Sequence, residues 1–121
     1  MSLAGTRVFL VEDEALILCT LQDMLEDLGC VVADVALRIE DALAKGAAVA
    51  CDVAILDVNV AGERIDAVAD LMAARGLPLV FATGYGRPSL PAAHADRPML
   101  AKPYRPLDVR TTLEAALPAR P

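Results

Sequence analysis

Short runs of apolar residues alternate with amphipathic stretches along the whole chain. Five runs have the length of a strand buried on both faces of a sheet: residues 8–11, 31–35, 53–56, 79–82 and 99–101. Four of the other stretches carry apolar residues at helical spacing and end close to Gly29, Gly46, Gly76 and Pro118. This alternation predicts an α/β fold with a doubly wound, five-stranded parallel sheet and helices on both faces, for which we expect the strand order 2-1-3-4-5.

The stretch between the last two predicted strands, residues 87–97, has a poor helix sequence. Pro88 and Pro91 lie within it, Gly84 and Gly86 precede it, and Leu90 is its one large aliphatic residue. Prolines inside a helix remove hydrogen bonds, and a thin apolar face gives a short helix little stabilisation. The sequence therefore predicts a weak or disordered fourth helix.

Composition and charge narrow the class of protein. With 121 residues, 56% of them hydrophobic, the chain is predicted to form one domain, residues 1–121, with a core from about residue 6 to about residue 117. Residues 1–3 are interpreted as an expression remnant. A net charge of −6 without a basic cluster argues against direct nucleic-acid binding. Glu12, Asp13 and Glu14 interrupt the N-terminal apolar residues, so we expect no signal peptide, no membrane insertion and a cytoplasmic location.

The cysteines and the histidine form no metal or redox motif. Cys19, Cys30 and Cys51 lack C-x-x-C spacing and stand among apolar residues, which predicts buried, reduced thiols. His94 has no second histidine or cysteine nearby, and we expect it at the surface rather than as a ligand.

Polar side chains follow four of the predicted strands. They are Glu12 and Asp13 after the first, Asp57 after the third, Thr83 after the fourth and Lys102 after the fifth. The carboxyl ends of parallel strands meet at one edge of the sheet, where open α/β sheets bind ligands. Carboxylates gathered there repel one another by more than about 1 kcal/mol per pair, even at an effective dielectric of about 20. The arrangement therefore indicates a cation, and oxygen ligands with room for water favour Mg²⁺.

The same edge holds groups suited to phosphoryl transfer. Lys102 supplies a positive charge and Thr83 a hydrogen-bond donor for phosphoryl oxygens. A carboxylate beside Mg²⁺ can be the nucleophile and form an aspartyl phosphate. Taken singly, each residue also has an ordinary explanation as a helix N-terminus, a turn or a solvated charge. Their convergence at one edge favours the functional interpretation.

This set resembles the receiver domain of bacterial two-component response regulators, along nearly the whole chain. The resemblance rests on Glu12-Asp13, Asp57, Thr83 and Lys102-Pro103 after their strands. It implies a flavodoxin-like receiver fold, a cis Lys102–Pro103 bond, and Asp57 as acceptor of a phosphoryl group from a sensor histidine kinase or a phosphotransfer protein. It further implies Mg²⁺ bound by Asp13, Asp57 and the backbone carbonyl of Asn59, with Glu12 acting through water, and phosphoryl oxygens bound by Thr83 and Lys102. A receiver of this kind acts on a downstream protein target and catalyses only its own phosphotransfer and dephosphorylation, so we do not expect an enzyme.

Departures from the common receiver pattern point to a subgroup. Val60-Ala61 replaces the usual Met-Pro after the phosphoacceptor, and Met99 replaces the aromatic residue of the ordinary switch. The string FATGYG, residues 81–86, resembles receivers named for a Phe-Ala-Thr-Gly-aromatic-Tyr motif, known largely from alphaproteobacteria, often single-domain and active in stress signalling. We therefore expect a stand-alone receiver, with a truncated longer regulator as the alternative.

Tyr85 is predicted to gate the phosphoryl group. Asn59 and Tyr85 each lie two residues beyond a site residue, so both should flank the path of water to an aspartyl phosphate. Gly84 and Gly86 would let the ring swing. The alternative is that Tyr85 only packs over the loop. We also expect residues 87–97 to be mobile before phosphorylation and to order when partners bind.

Two other functions fit parts of the sequence. A pseudo-receiver would bind partners without phosphorylation, although it would have little reason to keep the full polar set. Asp57-Val58-Asn59-Val60 faintly resembles the D-x-D-x-T motif of haloacid-dehalogenase-like phosphatases, which use Mg²⁺ and an aspartyl nucleophile. Asn59 and Ala61 stand where that motif needs an acid and a threonine.

Overall fold

The computed structural model describes residues 3–118 of the chain. In chain order its elements are β1 (Arg7–Val11), α1 (Ala15–Asp27), β2 (Val31–Ala36), α2 (Ile39–Gly46), β3 (Val53–Asp57), β4 (Asn59–Val60), β5 (Glu63–Arg64), α3 (Asp66–Ala74), β6 (Leu79–Thr83), β7 (Met99–Ala101) and α4 (Pro106–Ala116). Five parallel strands form one sheet in the order β2-β1-β3-β6-β7, and β4 and β5 form a separate hairpin. The predicted α/β class and strand order are therefore confirmed.

The core has two layers, one on each face of the sheet. Successive strand residues point to opposite faces, so on β1 Val8 and Leu10 pack with α1 and α4, whereas Phe9 and Val11 pack with α2 and α3. Each of these four side chains is at most 1% exposed. Burial on both faces explains why the strands read as continuous apolar runs.

Glycine ends α1 as the sequence predicts, but in α2 it lies inside the helix. Gly29 follows the last turn of α1 with φ of 86°, a left-handed conformation that favours glycine. Gly46 is instead the last residue of α2 and does not terminate the helix from outside. A Cβ at Gly46 would lie 3.4 Å from Sδ of Met72, which is an ordinary van der Waals distance, so this glycine marks the place where α2 contacts α3.

The crossover from β6 to β7, which we call the β6–β7 segment (residues 84–98), has no α-helix. It contains two short 3-10 turns, Arg87–Ser89 and Ala92–His94, which bears out the weak fourth helix. Side chains fix its path: Leu90 is buried in the core, and Nη1 of Arg87 donates to the carbonyl oxygens of Ala95 at 2.7 Å and Arg97 at 2.9 Å.

The prediction of a surface position for His94 is wrong. The second 3-10 turn points the ring inward, where it is 8% exposed and its centroid lies 5.9 Å from that of Phe81. Its Nε2 lies 2.8 Å from Oδ1 of Asp70 on α3. The histidine thus attaches the β6–β7 segment to α3.

Two further predictions need correction. Leu3, interpreted from the sequence as part of an expression remnant, belongs to the folded core: it is 4% exposed, and its carbonyl oxygen accepts hydrogen bonds from the backbone of Thr6 and the thiol of Cys30. Of the three free thiols, only Cys30 is buried. Cys19 is exposed because it lies on the outer face of α1, and Cys51 is half-buried. Between residues 3 and 118, every helix is too short or too polar to cross a bilayer.

Candidate functional site

The strand register brings the polar residues of the sequence analysis to one edge of the sheet. Val11 pairs with Leu56, so the next residue, Glu12, lies beside Asp57. Asp57 pairs with Ala82, so Thr83 follows one residue beyond the partner of Asp57. The backbone N–H of Lys102 donates to the carbonyl oxygen of Thr83 at 3.0 Å. A cavity of about 430 Å³ opens there, lined by Asp13, Glu14, Ile17, Asp57, Val58, Asn59, Ala61, Gly62, Thr83, Gly84, Tyr85 and Lys102.

Three acidic residues form a cluster in this site. Carboxylate oxygens of Glu12, Asp13 and Asp57 lie within 4.8 Å of one another. Glu12 and Asp57 are buried, and Asp13 is exposed. Mg²⁺ is bound in proteins through one or two carboxylates, with water and phosphate oxygens completing its shell. The donor set therefore fits Mg²⁺, with Asp13 and Asp57 facing the cavity and Glu12 behind them.

Lys102 bridges the two buried carboxylates. Its Nζ lies 2.8 Å from Oε1 of Glu12 and 3.0 Å from Oδ2 of Asp57. Burial alone would lower the pKa of Lys102, but hydrogen bonds to Glu12 and Asp57 outweigh it and raise the pKa above its ordinary value. Lys102 is therefore a permanent positive charge beside Asp57. The Lys102–Pro103 peptide bond is cis, as the resemblance implied.

The pKa of Glu12 is strongly raised. Burial raises its pKa to about 7, with the charge of Asp57 adding to the rise, and the hydrogen bond from Lys102 opposes it. Its Oε2 also accepts the backbone N–H of Glu14 at 3.2 Å. Near neutral pH the metal-free site therefore holds Glu12 in both protonation states.

A tight hairpin begins two residues after Asp57. Ala61 and Gly62 join β4 to β5 with φ of 51° and 83°, the two positive values of a type I′ turn. The sequence had shown Val60-Ala61 only as a departure from Met-Pro, and the hairpin was not predicted. It places Asn59 at the cavity, and the backbone N–H of Asn59 faces Oδ1 of Asp57 at 3.4 Å.

Thr83 is part of a hydrogen-bond chain that leads into the β6–β7 segment. Its Oγ1 accepts the N–H of Tyr85 at 2.9 Å and lies 2.8 Å from Oγ of Ser89. Ser89 was not anticipated, because the 3-10 turn that returns it to Thr83 has no strong sequence signal beyond Pro88. Tyr85 lines the cavity but is 85% exposed, so its ring does not pack over the loop in this structure; its gating role stays a prediction.

Comparison with known proteins identifies the family. No protein-family model and no curated protein matches the chain. Among solved structures, SdrG from Sphingomonas melonis Fr1 is 40% identical, with a TM-score of 0.83 over 96% of this chain and 98% of that one. A BeF3-activated conformation of SdrG matches with a TM-score of 0.78 over 93% of this chain and 96% of that one.

Structures of the response regulator PhyR also match, at lower identity. The receiver domain from Erythrobacter litoralis is 29% identical, with a TM-score of 0.80 over 98% of this chain and 96% of that one. PhyR from Brucella abortus is 29% identical, with a TM-score of 0.79 over 96% of this chain but only 49% of its own. Fold, site and similarity together show that the chain belongs to the receiver domains of response regulators.

Proposed function

We propose that this receiver accepts a phosphoryl group on Asp57 from the phosphohistidine of a sensor histidine kinase or of a phosphotransfer protein. The observation that carries the proposal is the environment of Asp57. Its carboxylate lies at an open cavity with Lys102 at 3.0 Å on one oxygen and the acidic cluster alongside. A pseudo-receiver would need neither the lysine bridge nor the acidic cluster. The existence of a BeF3-activated conformation of SdrG supports the same chemistry in a similar chain.

The side chains have separate tasks in the transfer. An oxygen of Asp57 forms a bond to phosphorus as the bond from phosphorus to the donor imidazole nitrogen breaks, with both in line. Lys102 then neutralises charge on the phosphoryl oxygens, and Thr83 donates a hydrogen bond to one of them. Asp13, Asp57 and the carbonyl of Asn59 would hold Mg²⁺, with Glu12 behind them. When bound, Mg²⁺ neutralises the carboxylates and phosphoryl oxygens as they approach.

Transfer needs a protein donor that reaches Asp57. Beside the phosphoacceptor cavity lies an apolar groove of about 400 Å³, which we call the α1 groove, lined by Leu16, Ile17, Thr20, Lys102, Pro103 and Tyr104. Ile17 and Lys102 line both cavities, and Leu16 is 80% exposed. A donor helix that brings its phosphohistidine to Asp57 would cover this groove.

The proposed receiver acts in the cytoplasm. Once phosphorylated, it acts on a downstream protein target, and it catalyses only its own phosphotransfer and dephosphorylation.

Intact mass spectrometry tests the phosphoacceptor. With acetyl phosphate and Mg²⁺, the wild type should gain one phosphoryl group, and Asp57→Asn should gain none. Asp52→Asn is the matched control, because Asp52 precedes the same strand at the opposite edge of the sheet. A wild type that gains no mass would favour the pseudo-receiver.

A second experiment tests the donor surface. Leu16→Ser should slow transfer from a purified phosphorylated histidine kinase and leave phosphorylation by acetyl phosphate unchanged. Leu107→Ser, at an exposed leucine outside the α1 groove lining, is the control. Equal slowing with both donors would place the defect in the chemistry instead of in docking.

A further inference from the structure

The hydroxyl group of Ser89 contacts the hydroxyl group of Thr83 in the candidate site, and each group has only one hydrogen to donate. Oγ of Ser89 donates to the carbonyl oxygen of Gly86 at 2.6 Å, which uses the one hydroxyl hydrogen that serine has. The 2.8 Å contact between Thr83 and Ser89 must then use the hydrogen of Thr83. The N–H of Tyr85 fills another position on Oγ1 of Thr83, as a donor.

A phosphoryl group on Asp57 would compete for that hydrogen. Its oxygens are acceptors only, so Thr83 can bind one of them only by withdrawing its hydrogen from Ser89. Ser89 then either turns its own hydrogen from Gly86 toward Thr83 or moves away. Either response removes a contact that fixes the turn Arg87–Ser89.

The backbone of Ser89 connects a second element to this pair. Its carbonyl oxygen accepts from Nη2 of Arg64 at 3.1 Å, and Nε of Arg64 lies 2.9 Å from Oδ1 of Asp66. Arg64 belongs to the hairpin that directly follows Asp57 and Val58. A displacement of Ser89 therefore affects both the β6–β7 segment and the hairpin.

We propose that Ser89 couples phosphorylation of Asp57 to the β6–β7 segment, through competition between the phosphoryl group and Ser89 for the hydroxyl hydrogen of Thr83. This rests on the proposed phosphoacceptor function and adds a positioning residue to it. It gives the chain a switch in place of the aromatic residue that Met99 replaces. The partly buried hydroxyl of Ser89, six residues after Thr83, is the group that responds to the change at Thr83.

BeF3⁻ in the presence of Mg²⁺ is a suitable probe, because it is an acceptor-only anion with the shape of a phosphoryl group. Ser89→Ala removes the competing acceptor, so calorimetric titration should show BeF3⁻ bound about fivefold more tightly, the factor that one net hydrogen bond provides. Ser89→Thr keeps the hydroxyl and should restore wild-type affinity. In a Thr83→Val background, Ser89→Ala should change nothing, since the shared hydrogen is absent.

Amide hydrogen exchange distinguishes this coupling from a purely structural role of Ser89, because only the coupling makes exchange in this segment depend on BeF3⁻. The N–H groups of Ser89 and Leu90 donate to the carbonyls of Gly86 and Arg87. BeF3⁻ should speed their exchange in the wild type and have a smaller effect in Ser89→Ala. Unchanged or weaker affinity of Ser89→Ala, with normal binding by the wild type, overturns the coupling and leaves the phosphoacceptor intact. A wild type that binds no BeF3⁻ overturns both.

Discussion

Replacing Lys102 by methionine should destabilise the metal-free protein strongly at pH 8. The substitution keeps the length of the side chain but leaves Glu12 and Asp57 as buried carboxylates, 2% and 8% exposed in their side chains, without a counter-charge. At 2.8 and 3.0 Å, each contact is worth about 6 kcal/mol of Coulomb attraction at an effective dielectric of about 20. Desolvation offsets part of this, and breaking a buried ion pair from one side typically costs about 3–5 kcal/mol.

Urea denaturation with EDTA at pH 8 measures the loss. We expect Lys102→Met to lower the free energy of unfolding by about 3 kcal/mol or more, and the double variant Lys102→Met/Glu12→Gln to recover part of it, because the amide needs no counter-charge. Mg²⁺ should stabilise Lys102→Met more than the wild type, since the cation would supply the missing charge. Lys45→Met is the control at a more exposed lysine with two carboxylate partners and should have a much smaller effect. A Lys102→Met protein as stable as the wild type without Mg²⁺ would refute the reasoning.

Four further outcomes follow from the structure. The pKa of Glu12 in the folded protein is about 7, above its unfolded value, so its contribution to stability is present below about pH 4.5 and is lost as the pH rises through 7. In EDTA, Glu12→Gln should therefore reduce the pH dependence of the free energy of unfolding by up to about 3 kcal/mol. Asp13→Asn should weaken Mg²⁺ binding by about tenfold or more in a metal titration; an unchanged titration would count against its role. Tyr85→Ala should shorten the phosphate lifetime on Asp57 without changing Mg²⁺ affinity, and an unaltered lifetime would reject the gate. Amides of residues 89–96 should exchange faster than those of α4 before phosphorylation; equal protection would exclude a mobile segment.

Features set by local periodicity were predictable from the sequence. The continuous apolar strands must be buried on both faces, and a doubly wound sheet covers both faces with helices. Once the strands are parallel and adjacent, the residues after Val11, Leu56, Ala82 and Ala101 must converge at one edge. The gathering of Glu12, Asp57, Thr83 and Lys102 depends only on that topology.

What was missed depends on turns and on contacts between distant residues. The hairpin after Asp57 uses Ala61 at positive φ, a conformation that alanine rarely adopts and that propensity does not favour. His94 lies in a segment rich in proline and alanine and is buried only because a 3-10 turn points it at Asp70, 24 positions away. The bond between Thr83 and Ser89 likewise exists only because the chain returns after Gly86.

The central claim is that the phosphoryl group forms an acyl phosphate on Asp57, and reductive trapping tests it most directly. Borohydride reduces an aspartyl phosphate to homoserine, and peptide mass spectrometry then locates the reduced residue. After phosphorylation by a histidine kinase with Mg²⁺, the account predicts homoserine at position 57 of the wild type and none in Asp57→Asn. Homoserine at the position of another aspartate, or a phosphoryl group that remains on a different side chain after reduction, would contradict it.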